Sequence, residues 1–361
     1  MIAIIGGGPA GIALACALDS AGMDYQLFES RALGATWRSV PSDLRVLSPW
    51  WTDVLRTKDI FRANPLSKPN ASQYLEHLHQ IAEELRGEVL ENHEILALLI
   101  ENKNRFLLKS NQDIHGPYSH VCIATGYYFF PREFTPAGGN DGSVPLIHAG
   151  KLKDYDQLNA LEVRNQPFIV VGGRVTAGQL LTEMYQRGLT CEISIRSPLE
   201  FRREGLIASV RENLYFIWEQ MQIRFHPDTK RESFPVMDGG EPRFLISSGV
   251  VRTRPVIERI RYGEVEFSDG QATRASAIIL ATGYQPTFDF LPSALDKNEY
   301  SLPTTANFEL TNVPGVYLLG FDNLRNHRSR YLRGIRSDAK ELAGILSRSY
   351  SKLSVPDKRV L

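Results

Sequence analysis

Cysteine is scarce in this chain of 361 residues: Cys16, Cys122 and Cys191 are the only three, each within an apolar segment and none in a CxxC pair. That spacing excludes a disulfide framework and a metal-ligand set. It predicts three small core residues and fits a reducing, cytoplasmic compartment. Excess charge is also lacking. Forty-one basic side chains balance forty-one acidic ones, so no electrostatic argument points to nucleic acid or to an anionic membrane. No apolar run approaches the roughly 20 residues of a membrane-spanning helix. The opening apolar residues read as the fold's own first strand rather than as a secretory leader. What the chain does have is 43% hydrophobic residues, enough for a large core, and a length that suits two domains or one large α/β unit.

Residues 1–29 carry the strongest signal. Ile2 to Ile5 form an apolar strand that runs into Gly6-Gly7-Gly8-Pro9-Ala10-Gly11. An Ala/Leu-rich helix follows, and a second apolar strand, Tyr25 to Phe28, ends on Glu29. This is the dinucleotide-binding βαβ pattern in its full context. Gly6 permits the tight turn, Gly8 lets the backbone approach a pyrophosphate, and Gly11 lets helix and strand pack closely. The helix N-terminus offers free N–H groups and partial positive charge to phosphate. Glu29 is placed to accept from the hydroxyls of an adenosine ribose.

A second unit of the same kind begins at Phe168. The strand Phe168 to Val171 leads into Gly172-Gly173-Arg174-Val175-Thr176-Ala177, a helix follows to Arg187, and the strand Cys191 to Ile195 ends at Arg196. Each half later contains a buried strand ending in Ala-Thr-Gly-Tyr, at 124–127 and at 281–284. The chain therefore reads as an internal duplication, with the second unit inserted into the first. The expected domains are 1–128 with 285–361, and 129–284, joined by linkers near 128–165 and 282–290. Helices are predicted over 72–85 and 335–349 and a strand over 314–320. The stretch 131–166, rich in Gly, Pro and Asn, reads as a crossover. Residues 30–70 form a long irregular loop that holds three of the four tryptophans; loops of this length are usually functional. Arg325, Arg328, Arg330, Arg333 and Arg336 make a local basic run, read as phosphate-facing or as surface charge.

Together these features resemble the two-dinucleotide-domain flavoproteins, and within them the flavin-containing monooxygenases. Gly34-Ala35-Thr36-Trp37-Arg38 resembles that family's GGTW segment. Leu44 to Pro49 resembles its LRL-x-x-P, and Arg333 to Ala339 resembles the opening of its last helix. The resemblance implies an α/β fold: an FAD-binding Rossmann-like domain carrying an inserted Rossmann-like NAD(P)-binding domain. It implies that Gly6, Gly8, Pro9, Ala10, Gly11, Glu29 and Ser30 hold FAD. Thr36, Trp37 and Arg45 would line its route, Ala124, Thr125 and Gly126 would pass close to it, and Gly320, Phe321, Asp322, Gly334 and Ile335 would approach from the C-terminal segment. It implies that Gly172, Arg174, Thr176, Ala177, Arg196, Thr282 and Gly283 hold NADPH.

The implied activity is NADPH oxidation with O₂ capture as a C4a-(hydro)peroxyflavin and oxygenation of a small organic substrate. Trp50, Trp51, Tyr127 and His148 are the candidate active-site residues; packing within the loop's own core is the alternative for both tryptophans. Two departures keep other readings open. Arg174 replaces the second glycine of the second turn, so the chain reads alternatively as a flavin oxidase or dehydrogenase that uses no NADPH. A reductase without oxygen insertion is the third reading. Phe134, Gly142 and His148 follow the order of the family's FxGxxxH but not its spacing. Disulfide reduction is disfavoured by the lack of a cysteine pair.

Overall fold

The computed structural model describes residues 1–353 except 103, 203–205, 227–228, 230–235, 293–296 and 298–301. Two parallel sheets organise the chain. The first has seven strands, in the order Thr305–Ala306, Glu309–Leu310, Val316–Leu318, His120–Ile123, Ile2–Ile5, Tyr25–Phe28 and Glu88–Leu90. Five of them run parallel, and the 305–310 hairpin adds an antiparallel edge. The second sheet is wholly parallel, in the order Arg252–Arg254, Cys191–Ser194, Phe168–Val171, Ile278–Leu280 and Leu146–His148.

The strand composition explains the layering. Ile2, Ala3 and Ile4 are fully buried, as are Phe168, Ile169 and Val170. A strand apolar at every position must be covered on both faces. In the second sheet Phe168, Val170 and Ile279 pack into one cluster with Leu180, Leu181 and Met184, while Ile169, Val171 and Ile278 pack into another with Ile257, Val265 and Phe267. That alternation is the period of two of a pleated strand. Each sheet is accompanied by an antiparallel three-stranded meander, at Ile95–Tyr118 and at Ile257–Arg274. The duplication therefore extends beyond the βαβ units.

The first helix, Pro9–Ser20, has proline at its first position, where the missing N–H is no loss. It packs against the closing helix, Leu332–Leu353. The helix Ala71–Ala82 opens on a capping box in which Asn70 accepts from the Gln73 N–H at 2.8 Å and the Gln73 side chain accepts from Asn70 at 3.0 Å. It presents Tyr74, Leu78 and Ile81 to the first core.

Three segments differ from expectation. The crossover 131–166 contributes the edge strand Leu146–His148 and a short helix, Asp156–Leu161. A helix absent from the sequence reading spans Leu206–Phe225. The closing helix is longer than 335–349 at both ends.

Candidate functional site

In each sheet the chain leaves a central strand toward both sides, so a crevice opens at the carboxyl ends of the strands. Gly6 turns there at φ +112°, and a Cβ on it would lie 2.5 Å from the carbonyl oxygen of Ala124. Gly172 repeats the arrangement at φ +135°, with a Cβ 2.5 Å from the oxygen of Ala281. Both Ala-Thr-Gly-Tyr segments thus press against a glycine turn, and only glycine fits. A Cβ on Gly11 would meet the Gly6 oxygen at 1.9 Å.

Gly8 is the contrast. Its φ of −85° suits any residue, and a Cβ there meets nothing within 4 Å. The space above Gly8 is open, and the helix behind it has no side-chain cap. These are the conditions for a phosphate to lie on the helix N-terminus.

Glu29 is buried, 7% exposed. Its carboxylate accepts the Gly7 N–H at 2.7 Å, the Ser30 hydroxyl at 3.1 Å and the Arg31 N–H at 3.0 Å. Three donors fix it at the strand's tip, beside the glycine turn.

Thr125 Oγ1 is buried without a hydrogen-bond partner among the described residues, and Gly126, at φ +67°, has open space about it. Gly320 turns at φ +83° with a would-be Cβ 2.9 Å from that of Ala10, so the C-terminal segment closes on the first glycine turn. Phe321 is fully buried against Tyr127 and Phe288. Gly334 fits beneath the Arg328 carbonyl, and Ile335 is buried beside it. An unpartnered hydroxyl, an open glycine and a helix N-terminus are features that a dinucleotide satisfies.

At the second turn Arg174 is the N-cap of the helix Val175–Gln186, with extended backbone. Ala177 is buried, and Thr176 stands in the first turn. Burial and then the neighbouring Arg196 push the Arg174 guanidinium below its usual range, with Arg330 and Arg132 adding to the same positive field. That positive field at the turn suits a ligand with several phosphate charges. Thr282 donates to the Arg132 carbonyl at 2.9 Å, and Gly283 turns at φ +81°.

Residues 3–238 match the family described as pyridine nucleotide-disulphide oxidoreductase. The chain belongs to that family. A Geobacillus kaustophilus protein named uncharacterized oxidoreductase CzcO-like is 21% identical over 94% of this chain and 96% of its own length. The probable indole-3-pyruvate monooxygenase YUCCA1 of Arabidopsis thaliana is 24% identical over 94% of this chain and 88% of its own length. A flavin-containing monooxygenase from Stenotrophomonas maltophilia superposes with a TM-score of 0.76 at 17% identity, covering 97% of this chain and 98% of that one. The expected architecture of two Rossmann-like dinucleotide domains, one inserted in the other's sequence, is the fold of this oxidoreductase.

Disulfide chemistry, which the family's name includes, has no support in this member. Burial pushes the Cys16 and Cys191 thiols up to about 12 and raises that of Cys122 further. All three lie on different elements.

The candidate active-site residues fall in different settings. Trp50 is 5% exposed, donates to the Asp59 carbonyl at 3.2 Å and packs edge-on against Tyr74 and His77 of the 71–82 helix, so it belongs to the first core. Trp51 is half-buried and reaches across to Asn213 of the 206–225 helix at 3.2 Å. Trp37, on the short helix Ala35–Arg38 with Thr36, lies 4.5 Å from the Tyr74 ring. Arg45 bridges to Asn70. Tyr127 donates to Asp322 Oδ2 at 2.7 Å and accepts the Asp322 N–H at 2.8 Å. Burial and the Asp322 charge push its phenol up, so it stays protonated. Asp322 is also paired with Arg330 at 2.8 Å.

His148 is satisfied at both ring nitrogens. Nδ1 accepts the Gly150 N–H at 3.1 Å, which leaves Nε2 to donate to the Gly283 carbonyl at 3.0 Å. That is a neutral imidazole, and burial lowers its pKa accordingly. It fixes the second Gly-Tyr turn rather than facing open space. Across that turn Tyr284 stacks on Tyr128 at 4.3 Å.

A buried ionic network was invisible to the sequence reading. Glu219 accepts from Arg333 Nε at 2.9 Å and lies 2.9 Å from His327 Nε2. Glu219 sits on the unpredicted helix, so no local pattern announced the pairing. The basic run at 325–336 was its one visible half.

Proposed function

We propose that this chain is an FAD-dependent monooxygenase that oxidises NADPH and oxygenates a small organic molecule with O₂. The observation that carries the reading is the paired design of the two crevices: an open Gly8 above an uncapped helix beside a fixed Glu29, and a second glycine turn whose helix begins at Arg174 in the positive field of Arg196. The monooxygenases among the relatives support the choice of chemistry.

Bound FAD supplies hydride acceptance from NADPH and electron transfer to O₂. The protein's own residues bind and orient. Gly6, Gly8, Pro9, Ala10 and Gly11 cradle the diphosphate, and Glu29 with Ser30 takes the ribose. Thr125 Oγ1, Gly126 and Gly320 would hold the cofactor between those two ends. Arg174 and Arg196 neutralise the phosphates of NADPH, the 2′-phosphate included. Trp37, Trp50 and Trp51 with their loop exclude water from one side. No acid–base side chain is asked for large proton transfers, in keeping with a protonated Tyr127 and a neutral His148.

We assign residues 1–128 and 285–361 to the FAD unit and 129–284 to the NADPH unit. The linkers pair side by side at Pro131 and Tyr284, with Arg132 donating to Gly283 and Gln285 to Phe130 at 2.9 Å each. No helix among the described residues is long and apolar enough to cross a membrane. The test is NADPH-dependent O₂ uptake by the FAD-loaded protein. NADPH oxidation at full rate without O₂, passing electrons to a quinone or ferricyanide, would replace the monooxygenase with a reductase. Flavin reduction by an organic substrate alone, with no response to NADPH, would replace it with an oxidase.

A further inference from the structure

A cavity of about 250 Å³ lies between the 206–225 helix, the 325–331 segment and the first turns of the closing helix. Its wall includes Arg224, Arg325, Arg328, Arg333, Arg336 and Ser337. Five guanidiniums around one small space repel one another unless something negative stands among them.

Among the described residues three carboxylates, Glu219, Asp338 and Asp53, face five guanidiniums. Glu219 is used by Arg333 and His327, which overcome its burial and bring it down to about 2. Asp338 lies 3.8 Å from Arg325, and burial pushes it up to about 6. Asp53, in the field of Arg333 and Arg336, is likewise pushed up to about 6 by burial.

Arg328 gives the second, independent sign. It is only 6% exposed, yet its Nε has no hydrogen-bond partner among the described residues. A buried guanidinium with an unused donor is costly. An oxyanion in the cavity would satisfy it. Burial depresses the guanidiniums of both Arg328 and Arg336, against the opposing charges of Glu219 and Asp338 on the first and of Asp53 on the second.

We propose that this cavity is a binding site for a small oxyanion carrying two or more negative charges, a phosphate group or a pair of carboxylates. Planar guanidiniums match such oxygens two at a time. The volume falls below the roughly 300–1,000 Å³ typical of drug-sized ligands, so the occupant is a small molecule and not a dinucleotide. No residue of the two glycine turns lines the cavity, and its Arg333 and Arg336 flank the Gly334 and Ile335 assigned to the FAD segment.

Isothermal titration of FAD-loaded protein with inorganic phosphate, and separately with malonate, at low ionic strength tests it. Saturable binding of one equivalent is expected for at least one probe, weakened tenfold or more in Arg325→Gln and retained in Arg174→Ala. Phosphate alone binding identifies a phosphate group as the occupant, and malonate alone a dicarboxylate. Arg224→Gln, at an exposed position, gives a second reading should Arg325→Gln fold poorly. Absence of saturable binding with both probes overturns the proposal. So does equal affinity in both cavity variants, or loss of binding only in Arg174→Ala.

Discussion

The Glu29 carboxylate accepts the backbone N–H of Gly7 at 2.7 Å. The acid at the tip of one strand therefore holds the turn that follows the neighbouring strand, and the ribose and phosphate positions are built as one unit. Glu29→Ala removes the acceptor for three donors. It is expected to lower stability by about 1–3 kcal/mol and to weaken FAD binding together with it. Fluorescence titration with FAD and thermal denaturation of the apoprotein measure the two. Unchanged FAD affinity would separate Glu29 from the cofactor.

The first glycine turn separates folding from binding. Gly11→Ala places a Cβ against the Gly6 carbonyl and is expected to destabilise the fold by roughly 1–3 kcal/mol or more. Gly8→Ala meets nothing and should leave the melting temperature of the apoprotein within a degree or two, while FAD affinity falls about tenfold or more, the equivalent of about 1.4 kcal/mol. If Gly8→Ala binds FAD as tightly as the native chain, the diphosphate does not lie there.

Acid sensitivity has an identifiable source. His77 is buried against Trp50 with neither ring nitrogen hydrogen-bonded among the described residues, and burial lowers its pKa to about 4. The unfolded chain titrates near 6.5, so it binds the proton first as pH falls. The contribution of His77 is complete above about 6.5 and is lost between there and 4. At pH 5 that loss is about 2 kcal/mol, at roughly 1.36 kcal/mol per unit. His77→Leu should show a correspondingly smaller difference in unfolding free energy between pH 7.5 and pH 5. Asp53 and Asp338, raised to about 6, act in the opposite sense in both proteins and cancel from the comparison. Equal pH dependence in the two proteins would contradict the assignment.

The thiols should be silent. Cys16, Cys122 and Cys191 are held protonated by burial, and a protonated thiol is a poor nucleophile. Ellman's reagent at pH 8 is expected to label none within minutes in the native protein and all three after denaturation. Rapid native labelling, or loss of activity on alkylation, would reopen disulfide chemistry.

How much of this was legible in the sequence follows from how local each signal is. The strand, glycine turn and helix at 2–20, and their repeat at 168–186, were readable because hydrophobic runs and glycines lie within one short window. So were the Ala-Thr-Gly-Tyr strand ends and the last strand. The 206–225 helix was not. Its apolar residues fall on two opposed faces, Val210, Leu214, Ile217, Trp218, Met221 and Phe225 on an exposed one and Phe216 and Ile223 on the buried one, so no single buried face marks the period. The second meander was hidden because short, half-exposed strands such as Ala272–Arg274 carry no apolar alternation. The setting of His148 depended on where Gly283 comes to rest, 135 residues away, and that of Arg333 on Glu219. Such pairings are made by topology alone.

The central claim is that one chain holds a flavin that takes hydride from NADPH and hands electrons to O₂. The absorbance spectrum of purified protein, recorded anaerobically before and after NADPH and again on admitting air, tests it most directly. Flavin bands should be present after purification or on addition of FAD, bleach with NADPH and return with O₂. A protein that stays colourless with added FAD, or whose yellow colour NADPH leaves untouched, would contradict the account.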